Sequence, residues 1–391
     1  MAETIDVAVV GAGPFGLSVA AHLPFRSVRT FGEPMETWRR RMPRGMLLRS
    51  AWEETSLSAP SGGTLDDWTR LAAEPRAEPI PLEMFIRYSD WFADRFVPNR
   101  DPDNVAGIEQ HASGFRLVSA GGAEVDARAL VLAVGVVPFA YVPPGLKTLF
   151  GDEAVGLASA LADDVGQANG RRVLVVGGGQ AGLETSGLMA QAGATVELVT
   201  RSQVRWFADR EPHYPRGPVQ RRLYRLAYPV VGYGPPPLNR LVIMPDLFAA
   251  LPSSARVKLT ARLLRSGGSP WLRTLVDRSV KVTEFTTVED AAVHDSQLVV
   301  RLSNGEEREV DQVLVACGYR FDLDRLEFLS SNVRSGIATR DGWPVIDRHF
   351  RSSDRSIHFV GYAAERRFGP LSRFVLGADF TARRVHAALA G

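Results

Sequence analysis

Cysteine is almost missing from this chain. Of 391 residues only Cys317 carries a thiol, which excludes an internal disulfide and a Cys-x-x-Cys redox pair. A surplus of one charge is missing too: 46 Lys and Arg stand against 44 Asp and Glu, a net +2, so there is no general electrostatic case for nucleic acid. No apolar run reaches about 18 residues, and the first residues enter a strand pattern with no basic and apolar leader. A cytoplasmic protein without a membrane span is expected, with self-association left open. Neither a Ser/His/Asp arrangement nor a metal-ligand cluster is present, and His213 stands without an acid partner. What is there is ordinary globular material, 45% hydrophobic and 23% charged, at a length that predicts two or three domains.

The pattern that organises this material begins at Asp6. Val7–Val10 reads as a buried strand, Gly11, Gly13 and Gly16 follow in G-x-G-x-x-G spacing, and Leu17, Ala20, Ala21 and Leu23 fit a helix face. Each glycine answers a different steric need. Gly11 permits the tight turn, Gly13 the close approach of backbone to a pyrophosphate, and Gly16 the packing of helix on strand. Pro14 and Phe15 lie inside the motif, at the helix start, where unpaired N–H groups attract phosphate. A second strand, Val28–Phe31, ends near Glu33, an acid placed to accept from a ribose 2′-OH.

The same device recurs. Val173–Val176 is a strand, Gly177, Gly179 and Gly182 repeat the spacing, and Thr195–Val199 is the next strand. It ends in Thr200-Arg201-Ser202, with no acid where Glu33 stood. An arginine among hydroxyls suits an adenosine 2′-phosphate and favours NADPH over NADH.

Between and after these units lie further strands. Gly107–Val118 and Glu124–Val134 are expected to be joined by a Gly121-Gly122 turn, the second leading to Gly135. Ser279–Thr286 and Gln297–Leu302 return to strand patterning, Asp311–Tyr319 gives a strand closing on Gly318, and Ser356–Tyr362 gives one closing on Gly361. Pro81–Phe96 reads as a helix whose Phe85, Tyr88, Trp91, Phe92 and Phe96 form a core stripe. A last helix is expected over Ala378–Leu389. Trp38–Trp52 is partly loop, with tryptophans and arginines that could line a site. The stretch 205–251 is the least readable.

Two dinucleotide-binding units in one chain, each followed by a strand–glycine pair, resemble the two-dinucleotide-domain flavoproteins. More narrowly they resemble class B flavin monooxygenases and the lysine and ornithine N-hydroxylases. Gly11-Ala-Gly-Pro-Phe-Gly16 stands as the FAD motif and Gly177-Gly-Gly-Gln-Ala-Gly182 as the NADPH motif. Ala133-Val-Gly135 takes the place of the family's Ala-Thr-Gly. Asp311–Tyr319 resembles the N-hydroxylases' Asp-x-x-x-Leu-Ala-Thr-Gly-Tyr, with one residue more and Cys317 for Thr. The Phe-rich fingerprint ending in His is broken: Phe150-Gly151 is present, but Leu157-Ala-Ser159 replaces His-Ser.

The resemblance implies an α/β fold of two Rossmann-like, three-layer domains. The FAD domain (1–165 and 318–391) would be split by an inserted NAD(P)H domain (166–317) carrying an irregular insertion around 203–270. It implies FAD and NADPH as cofactors, O₂ and a small molecule as substrates, and reduced flavin that captures O₂ as a C4a-(hydro)peroxide. The expected cofactor contacts are Gly11, Gly13, Pro14, Phe15, Gly16, Glu33, Trp38, Gly135, Gly177, Gly179, Gln180, Gly182, Thr200, Arg201, Gly318, Tyr319, Gly361, Phe368 and Gly377. Arg49, Trp52, Gln180 and Arg373 are the candidates at the reacting edge, with Arg49 placed to stabilise negative charge; no metal is expected. Two alternatives stay open: a flavin reductase or dehydrogenase passing electrons to a quinone or protein, and a nucleotide-binding protein without turnover.

Overall fold

The structure is a computed structural model and describes residues 3–24, 26–150, 158–159, 165–207, 238–294 and 297–390. His213, the Pro235–Pro237 run, Gly151 and much of the expected insertion lie outside the described residues.

The Val-rich opening run forms strand β1 (Glu3–Val10) and the glycine motif turns it into helix α1 (Pro14–Ala21). Proline is favourable at the first helical position because its missing N–H has no partner there in any case. The chain then forms β2 (Val28–Phe31), helix α2 (Leu82–Phe96), β3 (Arg100–Asp101), β4 (Val105–His111), β5 (Gly114–Ser119) and β6 (Glu124–Leu132). These strands make one sheet in the order β3-β2-β1-β6-β5-β4. The stretch 107–118 is therefore a hairpin, not one strand. Gly114 lets it fold back, since a Cβ there would stand 2.3 Å from the Ala127 carbonyl oxygen. The aromatic stripe of α2 does pack inward: Phe85, Tyr88 and Phe92 are fully buried.

β6 has two partners on the side away from β1. Residues 124–127 pair antiparallel with β5, while Leu130–Leu132 pair parallel with Ile357–Phe359, so the C-terminal part of the chain rejoins the first sheet.

The second sheet is wholly parallel. It contains β7 (Ala158–Ser159), β8 (Arg172–Val176), β9 (Thr195–Val199) and β10 (Val280–Thr283), with helix α3 (Gln180–Gln191) leaving β8 through the second glycine motif. Helices α4 (Ser253–Leu263) and α5 (Pro270–Ser279) precede β10. Next come β11 (Val288–His294), β12 (Gln297–Leu302) and β13 (Glu307–Val310), a separate antiparallel sheet. β14 (Gln312–Val315) then completes the order β10-β9-β8-β14-β7. The expected strand at 279–286 ends at Thr283. β11 has no clear sequence signal, because its alternation is interrupted at Glu289-Asp290, where the pairing with β12 shifts register. The last helix, α6 (Gly377–Ala390), packs on α1. Among the described residues, no helix is long and apolar enough to cross a membrane.

Candidate functional site

The two glycine motifs are built to the same steric plan. The Gly11 N–H donates to the Phe31 carbonyl at 2.9 Å, and the Gly177 N–H to the Val199 carbonyl at 2.9 Å. A Cβ on Gly11 would lie 2.4 Å from the Ala133 carbonyl oxygen, and one on Gly177 would lie 2.3 Å from that of Ala316. Gly16 and Gly182 press against the carbonyls of Gly11 and Gly177, leaving 1.8 and 1.9 Å for a Cβ. Gly13 differs: nothing stands within 4 Å of its Cβ position, and Gly179 has only the Ser266 Cβ at 3.8 Å. Protein packing thus requires the outer glycines, whereas the middle ones face open space beside a helix N-terminus. That is the form of a cradle shaped for a phosphate. Gly135 and Gly318, at the turns after β6 and β14, are likewise open on the Cβ side.

Beyond the strand ends, charge separates the units. Glu33 follows β2 and accepts from the Arg40 guanidinium at 2.7 Å. Arg201 follows β9 and is exposed. Thr200 is buried, and its hydroxyl donates to the Ser202 carbonyl at 3.1 Å, so it shapes the turn beneath Arg201.

Where the units meet, a cavity of about 300 Å³ opens between the segment 38–50, which begins at the end of a short helix (Glu36–Arg40), the first turns of α3, the end of β14 and residues 373–375. Its walls are largely apolar, from Met42, Met46, Leu48 and Val375; Trp38, Arg49, Gln180, Glu184 and Arg373 also border it. The structure thus brings Arg49, Gln180 and Arg373 together. The Arg49 guanidinium lies 3.7 Å from the Phe207 ring centroid. Gln180 accepts from the Ser269 N–H at 2.8 Å and hydroxyl at 3.0 Å. Arg373 pairs with buried Glu365 and lies 4.6 Å from the Tyr362 ring centroid.

Other expected residues stand elsewhere. Trp52 is only 1% exposed and does not border the cavity; its indole N–H donates to Asp66 at 2.7 Å, which makes it a packing residue. Phe368 is buried among Phe350 and Phe380, with ring centroids at 4.4 and 5.4 Å. The Gly377 N–H is bound to the Phe374 carbonyl, and its Cβ position falls 2.1 Å from the Leu371 carbonyl oxygen, so this glycine serves a close helix packing. Gly361 packs against Phe15, which lies within 3.2 Å of its Cβ position.

Sequence reasoning missed Glu184. It is 5% exposed, borders the cavity, and accepts only long contacts: the Leu47 N–H at 3.3 Å and the Gln180 amide at 3.5 Å. Burial outweighs these and pushes its carboxyl up to about 7. The available signal was an acid one turn after Gln180 in a helix with no other charged residue. Cys317 has no second thiol to pair with. Its thiol donates to the Val176 carbonyl at 3.3 Å, and burial pushes it up to about 11.

Two dinucleotide-type units with a shared cavity define a flavoprotein-type oxidoreductase of the two-dinucleotide-domain class. The family model for pyridine nucleotide-disulphide oxidoreductases matches residues 5–210, more than half of the chain, and the chain belongs to that family. Among curated proteins, an Arabidopsis thaliana protein described as "Probable indole-3-pyruvate monooxygenase YUCCA9" is 26% identical over 347 residues, covering 83% of this chain and 78% of that one. The fold is shared with an ornithine N-hydroxylase from Kutzneria, solved with reduced FAD, NADP⁺ and L-ornithine (TM-score 0.74, 16% identity, 99% of each chain). It is shared as well with the bacillithiol disulfide reductase of Bacillus cereus (TM-score 0.65, 14% identity, 99% of each chain).

Proposed function

We propose that the chain is an FAD-dependent, NADPH-using monooxygenase that oxygenates a small molecule. The observation that carries this reading is the shared cavity: segments of both units border one largely apolar space that holds arginines and a buried carboxyl, in a chain with no thiol pair. The residues fit the cofactors, since Gly13 and Gly135 leave open backbone on the first unit and Gly179 on the second, with Gly318 open where the chain returns from the second unit to the first. FAD is held by residues of 1–165 and 318–391, NADPH by those of 166–317. Arg201 selects the 2′-phosphate. Bound FAD supplies hydride acceptance from NADPH and activation of O₂.

The chain's own groups do the rest. Met42, Met46, Leu48 and Val375 exclude water, which strengthens every charge inside. Arg49 and Arg373 stabilise negative charge that develops on oxygen. Glu184 holds a proton on its carboxyl near neutrality, where a donor is most effective. The near balance of charge gives no electrostatic case for a nucleic-acid partner; a cytoplasmic location and self-association are compatible with it.

The test is turnover of NADPH under labelled O₂ with indole-3-pyruvate, L-ornithine or L-lysine as first substrates. The label is expected in an organic product of one of them. NADPH oxidation that yields only peroxide or a reduced quinone would support the electron-transfer reading instead.

A further inference from the structure

A second cavity, of about 510 Å³, opens on the far side of Arg373. It is bordered by α4, by the segment 319–321 that follows β14, and by Trp343, Tyr362 and Arg366. Arg373 belongs to the walls of both cavities. The size suits a small organic ligand.

Its chemistry is that of an anion receptor with aromatic walls. Four arginines border it, Arg256, Arg320, Arg366 and Arg373, against two acids, Asp341 and Glu365. Glu365 is already paired with Arg373. Among the described residues no carboxylate pairs with Arg256, Arg320 or Arg366. Arg320 stacks on Tyr141 at 3.5 Å and Arg366 faces Trp343 at 5.3 Å, contacts that fix a guanidinium plane and leave its edge donors to a ligand. Arg256 gives one N–H to the Ala249 carbonyl at 2.8 Å, while its Nε is buried with no acceptor among the described residues. Burial, and then the like charges of Arg367 and Arg340, lower its affinity for its proton. An arriving anion relieves that repulsion and satisfies the buried donor. The apolar part of the wall is continuous: Phe321, Trp343 and Tyr362 have ring centroids 4.9, 5.2 and 6.0 Å apart.

We infer that this chamber binds the acid end of the substrate, an organic carboxylate with an aromatic or apolar body, and that the substrate's reactive part reaches the shared cavity past Arg373. The inference rests on the monooxygenase reading for the meaning of "substrate", but binding itself needs neither NADPH nor O₂. The FAD-loaded protein is titrated, without NADPH, with benzoate, 3-phenylpropionate and 4-phenylbutyrate and with the three matching amides, by calorimetry and tryptophan fluorescence. At least one acid is expected to bind about 10-fold or more tighter than its amide, the ratio that one charge-assisted pair supports. Arg320→Gln and Arg366→Gln, which alter only this chamber, each weaken the acid about 10-fold and leave the amide unchanged. Arg256→Lys, which keeps the charge, retains more affinity than Arg256→Gln, with flavin content as the check on folding.

Equal affinity for acid and amide, failure of every acid to saturate by about 10 mM, or indifference to Arg320→Gln and Arg366→Gln would overturn the inference. So would displacement of the acid by NADP⁺, which would give the arginines to cofactor phosphate. Acid binding without oxygenated product would refute the monooxygenase reading and leave this chamber standing. Oxygenation of neutral molecules with no acid binding would do the reverse.

Discussion

The two dinucleotide units agree in backbone and disagree in what they present at two matching positions. Two residues past the end of β2 stands Glu33; two residues past the end of β9 stands Arg201. Seven residues past the first glycine of each motif stand Ser18 and Glu184. Both are buried and each accepts a backbone N–H from the 47–58 stretch, Ser58 at 3.1 Å in the first unit and Leu47 at 3.3 Å in the second. Steric needs therefore fix the glycines identically, because a carbonyl oxygen occupies the space of a side chain in both. Charge at the strand tip and on the helix is free to differ, and there the units diverge: an acid at the first strand tip, an arginine at the second, and a buried carboxyl on the second helix alone.

Removing the shared element should break both units alike. Gly16→Ala and Gly182→Ala drive a Cβ into backbone, and each is expected to cost about 3 kcal/mol or more in urea unfolding. Tolerance of either would show that the close packing is not required.

Glu184 has no acidic counterpart in the first unit, so Glu184→Gln sharpens the contrast. The folded-state value lies near 7, above the ordinary 4.5. The folded chain then holds more protons than the unfolded one between those values, and this contribution to stability is lost as pH rises through about 7. The loss amounts to about 3 kcal/mol at most. The Gln variant is expected to flatten that slope and to remove any ionisation near pH 7 from the rate of NADPH turnover.

The middle glycines should separate the units by ligand. Gly13→Ala is expected to weaken FAD binding about 100-fold, and Gly179→Ala to weaken NADPH about 100-fold, both with stability nearly unchanged, because the added methyl meets only the ligand's space. Flavin content and the KM for NADPH read the two effects. Arg201→Ser should raise the KM for NADPH about 10-fold while leaving NADH unaffected. Smallest is Trp52→Phe: it removes the bond to Asp66, costs about 1 kcal/mol, and leaves both cofactors bound.

The same contrast explains what can be read from sequence. The glycine spacings, the strands before them and the opposite charges after them are local, and the outer glycines are forced by backbone contact. The aromatic stripe of α2 is equally legible, since its period matches a buried helix face. The shared cavity is legible only in part. It is assembled from the segment 38–50, α3, β14 and residues 373–375, which no local pattern joins. Trp52 illustrates the cost: an aromatic in an arginine-rich loop reads the same whether it lines a site or fills a core. Its burial and its bond to Asp66, fourteen residues on, are facts of the fold. Gly377 is ambiguous in sequence for a similar reason, because a glycine demanded by the Leu371 carbonyl looks like one demanded by a ligand. The hairpin at 107–118 reads as one strand because its turn, Ala112-Ser113, has weak turn chemistry and Gly114 falls after it.

The most direct test is the absorption of the purified protein before and after anaerobic NADPH, for the parent chain and for Gly13→Ala and Gly179→Ala. The parent is expected to carry one FAD per chain that NADPH bleaches. Gly13→Ala should lose the flavin spectrum, and Gly179→Ala should keep it but bleach only at much higher NADPH. A parent chain that holds no flavin, even after FAD is supplied, would contradict the assignment of the first cradle, and with it the function proposed for the cavity between the two.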